Sequence, residues 1–367
     1  QYLELFDEVR PIARVYDAPT PPANWQRVDG PGVRFAPLRH YQGLGAMLRA
    51  LPRTLLDIGR HLRTGDAFAF RGSGGVCTLA WLWLALRRAP YAWQVVGHTG
   101  EGVRMGAPLP GERWRRVVAD ASWRLTRRQV GGACTAAYVS DHLRRLCPLR
   151  TRGPTFLFSD VNLAPELITA PRAAAAFCAD PLRVVSVGRM NSEKGYDVLL
   201  EAVRRLSDRG ERRWALDVIG SGPELDSLRR RTAELDLAAN VSFSGWLAWG
   251  PELFARLDHA DLYVLPSRTE GLPRALLEAM ARGLPALGTR VGGVPDLLAE
   301  RDLLTPGDAE ALARRIGALI GDRATLAEMS RAAFEAAERF HPAKMRAQKL
   351  AYWSYLRARS ERRRPRR

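Results

Sequence analysis

Short apolar runs alternate with amphipathic stretches along most of the chain, and in its second half the alternation is regular. Residues 183–187, 214–219, 241–243, 262–265 and 285–288 read as buried strands, with helices predicted over 195–206, 224–235, 251–258 and 272–282. Turn residues close several of the strands, as at Gly188 and at Gly220-Ser221-Gly222-Pro223. In the first half the pattern is looser. Strands are predicted over 9–15, 67–70, 93–96, 134–139 and 155–158, and helices over 49–63 and 76–88. Residues 165–182, with three prolines and an alanine run, read as a linker between the halves. Strands alternating with helices predict an α/β protein with parallel, doubly wound sheets, whose ligands bind in loops beyond the carboxyl ends of strands.

The composition supports two folded domains rather than disorder. The chain has 367 residues, 46% of them hydrophobic, which suits cores over 1–168 and 180–340. A helix pattern follows Pro342 to residue 356, and 357–367 is an Arg-rich tail. Cys77, Cys134, Cys147 and Cys178 form no C-x-x-C pair and no metal-ligand spacing, which points to reduced thiols and a cytoplasmic protein without a metal site. The opening Gln1-Tyr2-Leu3-Glu4 lacks a basic lead, so no secretory signal is expected. The apolar run 76–86 is too short to span a bilayer.

Charge changes this picture in one respect. The net charge is +17, and it is uneven: residues 1–180 hold 24 Arg against 14 Asp and Glu, whereas residues 181–356 are nearly balanced. The tail adds seven Arg against one Glu. Such an excess reads either as a solvated arginine-rich surface or as a face for an anionic partner, a membrane leaflet or nucleic acid. Residues 114–128 fit the membrane alternative, because Trp114 and Trp123 lie among Arg113, Arg115, Arg116, Arg124, Arg127 and Arg128 on one predicted helix. The other reading of that stretch is an ordinary helix with two core tryptophans. A nucleic-acid reader would show aromatic-interleaved basic motifs, and none occurs, so no nucleic-acid partner is expected.

Candidate chemistry lies at the predicted strand-to-helix loops. Glu270 and Glu278 flank the start of a helix, with Gly271-Leu272-Pro273 between. Free N–H groups in that first turn and a glycine that lets phosphate approach suit a nucleotide, and Glu278 could accept from a ribose diol. The alternative is one surface loop carboxylate and one exposed helical one. Gly188-Arg189-Met190-Asn191-Ser192-Glu193-Lys194-Gly195 follows a strand. Arg189 and Lys194 there could hold a diphosphate and stabilise it as a leaving group, or be two solvated cations. Lysine is rare in this chain, with only Lys194, Lys344 and Lys349, so the surviving ammonium at 194 favours the first. Gly220, Gly222 and Pro223 read equally as plain turn chemistry.

These segments, GRMNSEKG, IGSGPELDSL, VSFSGW and PSRTEGLPRALLEAMARGLPALGTRVGGVPDLL, together resemble family 4 of the retaining glycosyltransferases over residues 184–298. The resemblance implies the GT-B fold, two Rossmann-like domains facing across a cleft, with a nucleotide-sugar donor (UDP- or GDP-sugar) held mainly by the second. It implies that Arg189 and Lys194 bind the diphosphate beside Gly188, and that Glu270 contacts the transferred sugar, with Gly271, Leu272 and Pro273 offering backbone groups. It further implies that Glu278 binds ribose, while Gly220, Gly222, Pro223, Gly245 and Trp246 flank the base. No metal or other cofactor is needed, and the helix after Pro342 crosses back to the acceptor-binding first domain. His98, after the strand near 93–96, resembles a histidine beside the donor sugar; a structural histidine is the alternative. The expected acceptor is a glycan or lipid-linked glycan at the inner face of the plasma membrane, in bacterial polysaccharide or glycolipid synthesis. The family also has a first strand and glycine-rich loop that would lie ahead of Gln1. A sugar phosphorylase or sucrose-synthase-like enzyme would share the fold. A nicotinamide dehydrogenase would show G-x-G-x-x-G, whereas Gly188 is followed by Arg189.

Overall fold

The computed structural model describes residues 2–16, 27–41, 44–63, 65–106, 111–159, 161 and 163–362; Gln1 and residues 363–367 of the expected tail lie outside the described residues. The first elements are β1 (Ile12–Val15) and β2 (Ala36–Arg39), a parallel pair, then α1 (Leu44–His61). A four-stranded parallel sheet follows, with β3 (Phe68–Arg71), β4 (Tyr91–Val95), β5 (Thr135–Tyr138) and β6 (Thr155–Leu157) in chain order. Parallel neighbours need crossovers. These are α2 (Gly75–Leu86), the pair α3 (Thr99–Gly106) and α4 (Glu112–Gly131), and α5 (Asp141–Leu146).

Alternation along β4 and β5 sorts their side chains between two cores. Tyr91, Trp93, Val95 and Tyr138 pack with Ile58 and Leu84 on one face. Ala92 and Ala137 point the other way, and their small side chains admit Tyr352, Trp353 and Leu356 of the last helix.

The second half carries β7 (Leu182–Val187), α6 (Tyr196–Asp208), β8 (Trp214–Ile219), α7 (Leu225–Glu234), β9 (Val241–Gly245) and α8 (Pro251–His259). It continues with β10 (Leu262–Leu265), α9 (Arg274–Ala281), β11 (Ala286–Thr289), β12 (Leu303–Leu304), α10 (Ala309–Leu319), α11 (Arg323–Glu338) and α12 (Pro342–Glu361). Its six parallel strands run β12-β11-β10-β7-β8-β9. The strand order therefore reverses between β7 and β10, and the loops after those two strands open side by side at a topological switch point. The parallel α/β architecture expected from the alternation is present in both halves, and the six-stranded sheet is doubly wound.

Several expectations need adjusting. The segment read as a linker is packed onto the second sheet's helices: Leu167 is fully buried, and Phe177 is nearly so. Arg172 in this segment donates to the carbonyls of Leu257 (2.9 Å), Ala260 (2.6 Å) and Arg282 (3.3 Å), which lie at the carboxyl ends of α8 and α9 where helical carbonyls lack partners. The last helix does not stop at residue 356. It runs to Glu361, and Arg357 both pairs with Glu361 (2.8 Å) and donates to the Leu5 carbonyl (2.8 Å). Part of the expected tail is therefore helix bound to the start of the chain. No helix among the described residues is long and apolar enough to cross a membrane.

Candidate functional site

The loop after β7 is held in shape by the turn after β8. Met190 N donates to the Ser221 carbonyl (2.9 Å), and Glu224 N to the Met190 carbonyl (3.0 Å). A Cβ on Gly220 would collide with the Gly188 carbonyl, and one on Gly222 with that of Met190. These two glycines let one loop backbone lie against the other.

Lys194 ends a short 3-10 turn in the β7 loop, and Glu270 sits in the loop after β10. The switch point brings them together. Lys194 Nζ donates to Glu270 Oε1 at 2.6 Å, and Ser267 Oγ donates to the same oxygen at 2.7 Å. The Glu270 side chain is 8% exposed and that of Lys194 24%. A second cation stitches the two loops: Arg268 donates to the Ser192 carbonyl (2.8 Å) and forms a two-pronged pair with Asp197 (2.8 and 2.7 Å). Arg189 is exposed.

Beyond Glu270, Gly293 N donates to the Gly271 carbonyl (2.7 Å). Leu272 and Pro273 then lead into α9, whose first turn has no side-chain cap, so its N–H groups remain available to an anion. Glu278 lies one turn further in and is only 7% exposed. Burial raises its carboxyl above the ordinary value, offset in part by Arg274, 3.8 Å away, and by a hydrogen bond from the Trp249 indole. A buried carboxylate with so few internal partners suits an incoming pair of hydroxyls. Gly245, at the end of β9, accepts from Gly220 N (2.7 Å), while Trp246 is 64% exposed beside it. Trp249 sets its ring edge on Phe254.

His98 comes from the other half, immediately before α3. Its Nδ1 accepts from Glu101 N (3.1 Å), which places the neutral ring's proton on Nε2. Its ring stacks on Trp123 of α4, with centroids 3.8 Å apart. The two halves meet here. A Cβ on Gly271 would come within 2.6 Å of the Val96 carbonyl, and Thr269 Oγ1 donates to Glu101 Oε2 at 2.6 Å.

Of the expected residues, Lys194 and Glu270 are in contact, Arg189 is exposed, and Glu278, Trp246 and the 220–223 turn belong to the second half. Sequence reasoning missed Ser267, Arg268, Trp249, Glu101 and Thr269. For Ser267, Arg268 and Thr269 a signal existed, since they precede Glu270 directly in the same loop. Trp114 and Trp123 do share one helix, as expected, but they are not two core tryptophans. The first is 65% exposed, whereas the second turns inward onto His98.

Residues 170–336 match the sequence profile of the family described as glycosyl transferases group 1. The amylovoran biosynthesis glycosyltransferase AmsK of Erwinia amylovora is 38% identical over 142 residues, 36% of this chain and 34% of the relative. The lipopolysaccharide core biosynthesis glycosyltransferase LpsE of Rhizobium meliloti is 32% identical over 169 residues, 44% of this chain and 47% of the relative. The matches thus span less than half the length of these curated relatives. Among solved structures, Anabaena HepE in complex with UDP superposes with a TM-score of 0.63 at 18% identity, covering 88% of this chain and 86% of that one. The overall architecture is GT-B, and residues 170–336 are the part similar to the glycosyl transferases group 1 family.

Proposed function

We propose that the chain is a retaining, metal-independent glycosyltransferase that moves a sugar from a nucleoside diphosphate donor to a glycan or lipid-linked acceptor in surface polysaccharide or glycolipid assembly. The observation that carries this reading is the Lys194–Glu270 pair at the switch point, directly before the uncapped start of α9. A diphosphate at that helix start meets free N–H groups, and Lys194 and Arg189 supply the positive charge a divalent ion would otherwise bring. As phosphate takes over Lys194, Glu270 is released to accept from sugar hydroxyls. Glu278 takes the ribose diol, Trp246 and the 220–223 turn flank the base, and His98 faces the sugar from the first domain.

In the transfer, the bond from the anomeric carbon to the phosphate oxygen breaks. The acceptor oxygen bonds to that carbon on the same face, and its proton passes to the departing phosphate. Glu270 orients the sugar and forms no covalent intermediate. The acceptor side includes an anionic membrane leaflet, docked through the outer face of α4, where Trp114, Val117 and Val118 are exposed among arginines.

Thermal unfolding with UDP, GDP, ADP and NAD tests the donor site. A ligand at 100 times its Kd adds about 2.7 kcal/mol. One nucleoside diphosphate should stabilise the wild type, equally with and without EDTA, and have no effect on Glu278→Ala. Stabilisation by NAD alone, or none by any nucleotide, refutes the reading.

A further inference from the structure

His98 and Glu270 belong to opposite halves of the cleft, yet one residue joins them. The backbone N–H of Glu101 holds His98 Nδ1, while its carboxylate accepts from Thr269, 168 positions away in sequence and the immediate neighbour of Glu270. The first turn of α3 is itself fixed. On α4, Ala119 and Trp123 lie one turn apart on one face. Trp123 carries the His98 ring, and the Ala119 carbonyl lies so close under Gly100 that a Cβ there would come within 3.0 Å of it. Gly271 meets the Val96 carbonyl more closely still, at 2.6 Å from a Cβ placed there. The Ser267–Gly271 loop is therefore seated on the β4–α3 junction by two separate contacts, and only one of them, Glu101 to Thr269, is a side-chain hydrogen bond.

We propose that Glu101 is a positioning residue: its carboxylate clamps the Ser267–Gly271 loop to the turn where its backbone N–H holds His98, so that one residue orients both sides of the transfer site. The proposal rests on the transferase reading for its consequence in turnover, but the clamp itself is a property of the unliganded chain. Glu101 acts through Thr269 and through His98. Its loss misplaces reacting groups without removing one of them. Gln at 101 keeps an oxygen that can accept from Thr269, whereas Ala does not.

The test uses the full chain as wild type, Glu101→Gln, Glu101→Ala, Thr269→Val and the double variant Glu101→Ala/Thr269→Val. Amide hydrogen exchange without ligand comes first. Glu101→Ala should speed exchange about tenfold in both 98–102 and 267–271, the worth of one hydrogen bond to a charged group, and Glu101→Gln much less. Unchanged exchange in 267–271 overturns the clamp whatever the enzyme does. Hydrolysis of UDP-glucose and GDP-mannose, with UDP and GDP binding, comes second. Glu101→Ala and Thr269→Val should each lower kcat about tenfold with nucleotide Kd unchanged, Glu101→Gln should recover most of it, and the double variant should be no worse than either single one. Additive losses, or a Glu101→Gln as poor as Glu101→Ala, overturn the proposal. A wild type that binds neither nucleotide refutes the transferase reading instead, and exchange alone then decides the clamp.

Discussion

Lys194 and Glu270, 76 residues apart in the chain, meet at 2.6 Å where the strand order of the six-stranded sheet reverses. Each holds the other's charge in the absence of ligand. The partly exposed ammonium remains accessible, whereas the carboxylate is almost wholly enclosed and has Ser267 as its second donor. On the proposed reading, an incoming diphosphate would meet this cation and free the carboxylate.

The asymmetry in burial sets the expected cost of breaking the pair. Lys194→Met strands an enclosed carboxylate and should lower stability by about 2–3 kcal/mol in denaturant unfolding. Glu270→Gln leaves the more exposed partner alone and keeps Ser267 as donor, so about 1 kcal/mol is expected. The double variant should regain about 1 kcal/mol relative to the sum of the two. Activity should behave differently: all three variants should lose donor turnover by about 100- to 1000-fold, since the leaving-group charge is left without its cation or the sugar without its acceptor. Lys194→Met with wild-type turnover would show that the pair is only structural.

Glu278 gives a pH signature. Its carboxyl is raised in the folded chain because burial disfavours the anion. Below the ordinary value of 4.5 both folded and unfolded states hold the proton, and burial of the group carries no ionisation penalty. As pH rises from there through the raised folded value, the unfolded state releases its proton first, and stability is lost. Above that value the loss is constant. Glu278→Gln cannot ionise, so it should melt higher than the wild type at pH 7, with the difference shrinking to nothing as pH falls below 4.5. The same variant should lose nucleotide stabilisation. Equal melting temperatures of the two proteins from pH 4 to 8 would contradict a penalised, ionisable Glu278.

The second domain was legible because its strands are apolar runs closed by turn residues, and its candidate groups stand in the loops those turns create. Gly220 and Gly222 looked like ordinary turn glycines because what requires them, the carbonyls of Gly188 and Met190, belongs to another loop. The first domain was harder. In α3, Gly100, Gly102 and Gly106 fall within eight residues, so helix propensity argues against the element, and packing on α4 makes it. In β2, Pro37 lacks a ladder donor, and the strand forms as half of a two-stranded pair. The Glu101–Thr269 bond has no local pattern at all. The face of Trp123, by contrast, could have been read from helical spacing. Nine residues is two and a half turns, which places Trp123 opposite Trp114, whereas Val117 and Val118 lie three and four residues from Trp114 on the outer face.

That split between the faces of α4 sharpens the membrane reading into a test. Trp114 is 65% exposed and Val117 58%, with Arg113, Arg115, Arg116 and Arg124 exposed around them. An apolar strip with a basic surround suits a leaflet that offers both acyl boundary and negative headgroups. Each well-placed arginine adds about 1 kcal/mol at such a surface and is screened by salt. The chain should therefore pellet with vesicles containing anionic lipid at low salt, fail to pellet with purely zwitterionic vesicles, and be released by high salt. Trp114→Ser with Val117→Ser removes the strip and should weaken binding at least about tenfold while leaving nucleotide binding intact. Trp123→Phe, which changes only the inward face, should leave vesicle binding at the wild-type level. If Trp123→Phe releases the chain as fully as the outer-face variant does, the outer face of α4 is not what meets the membrane.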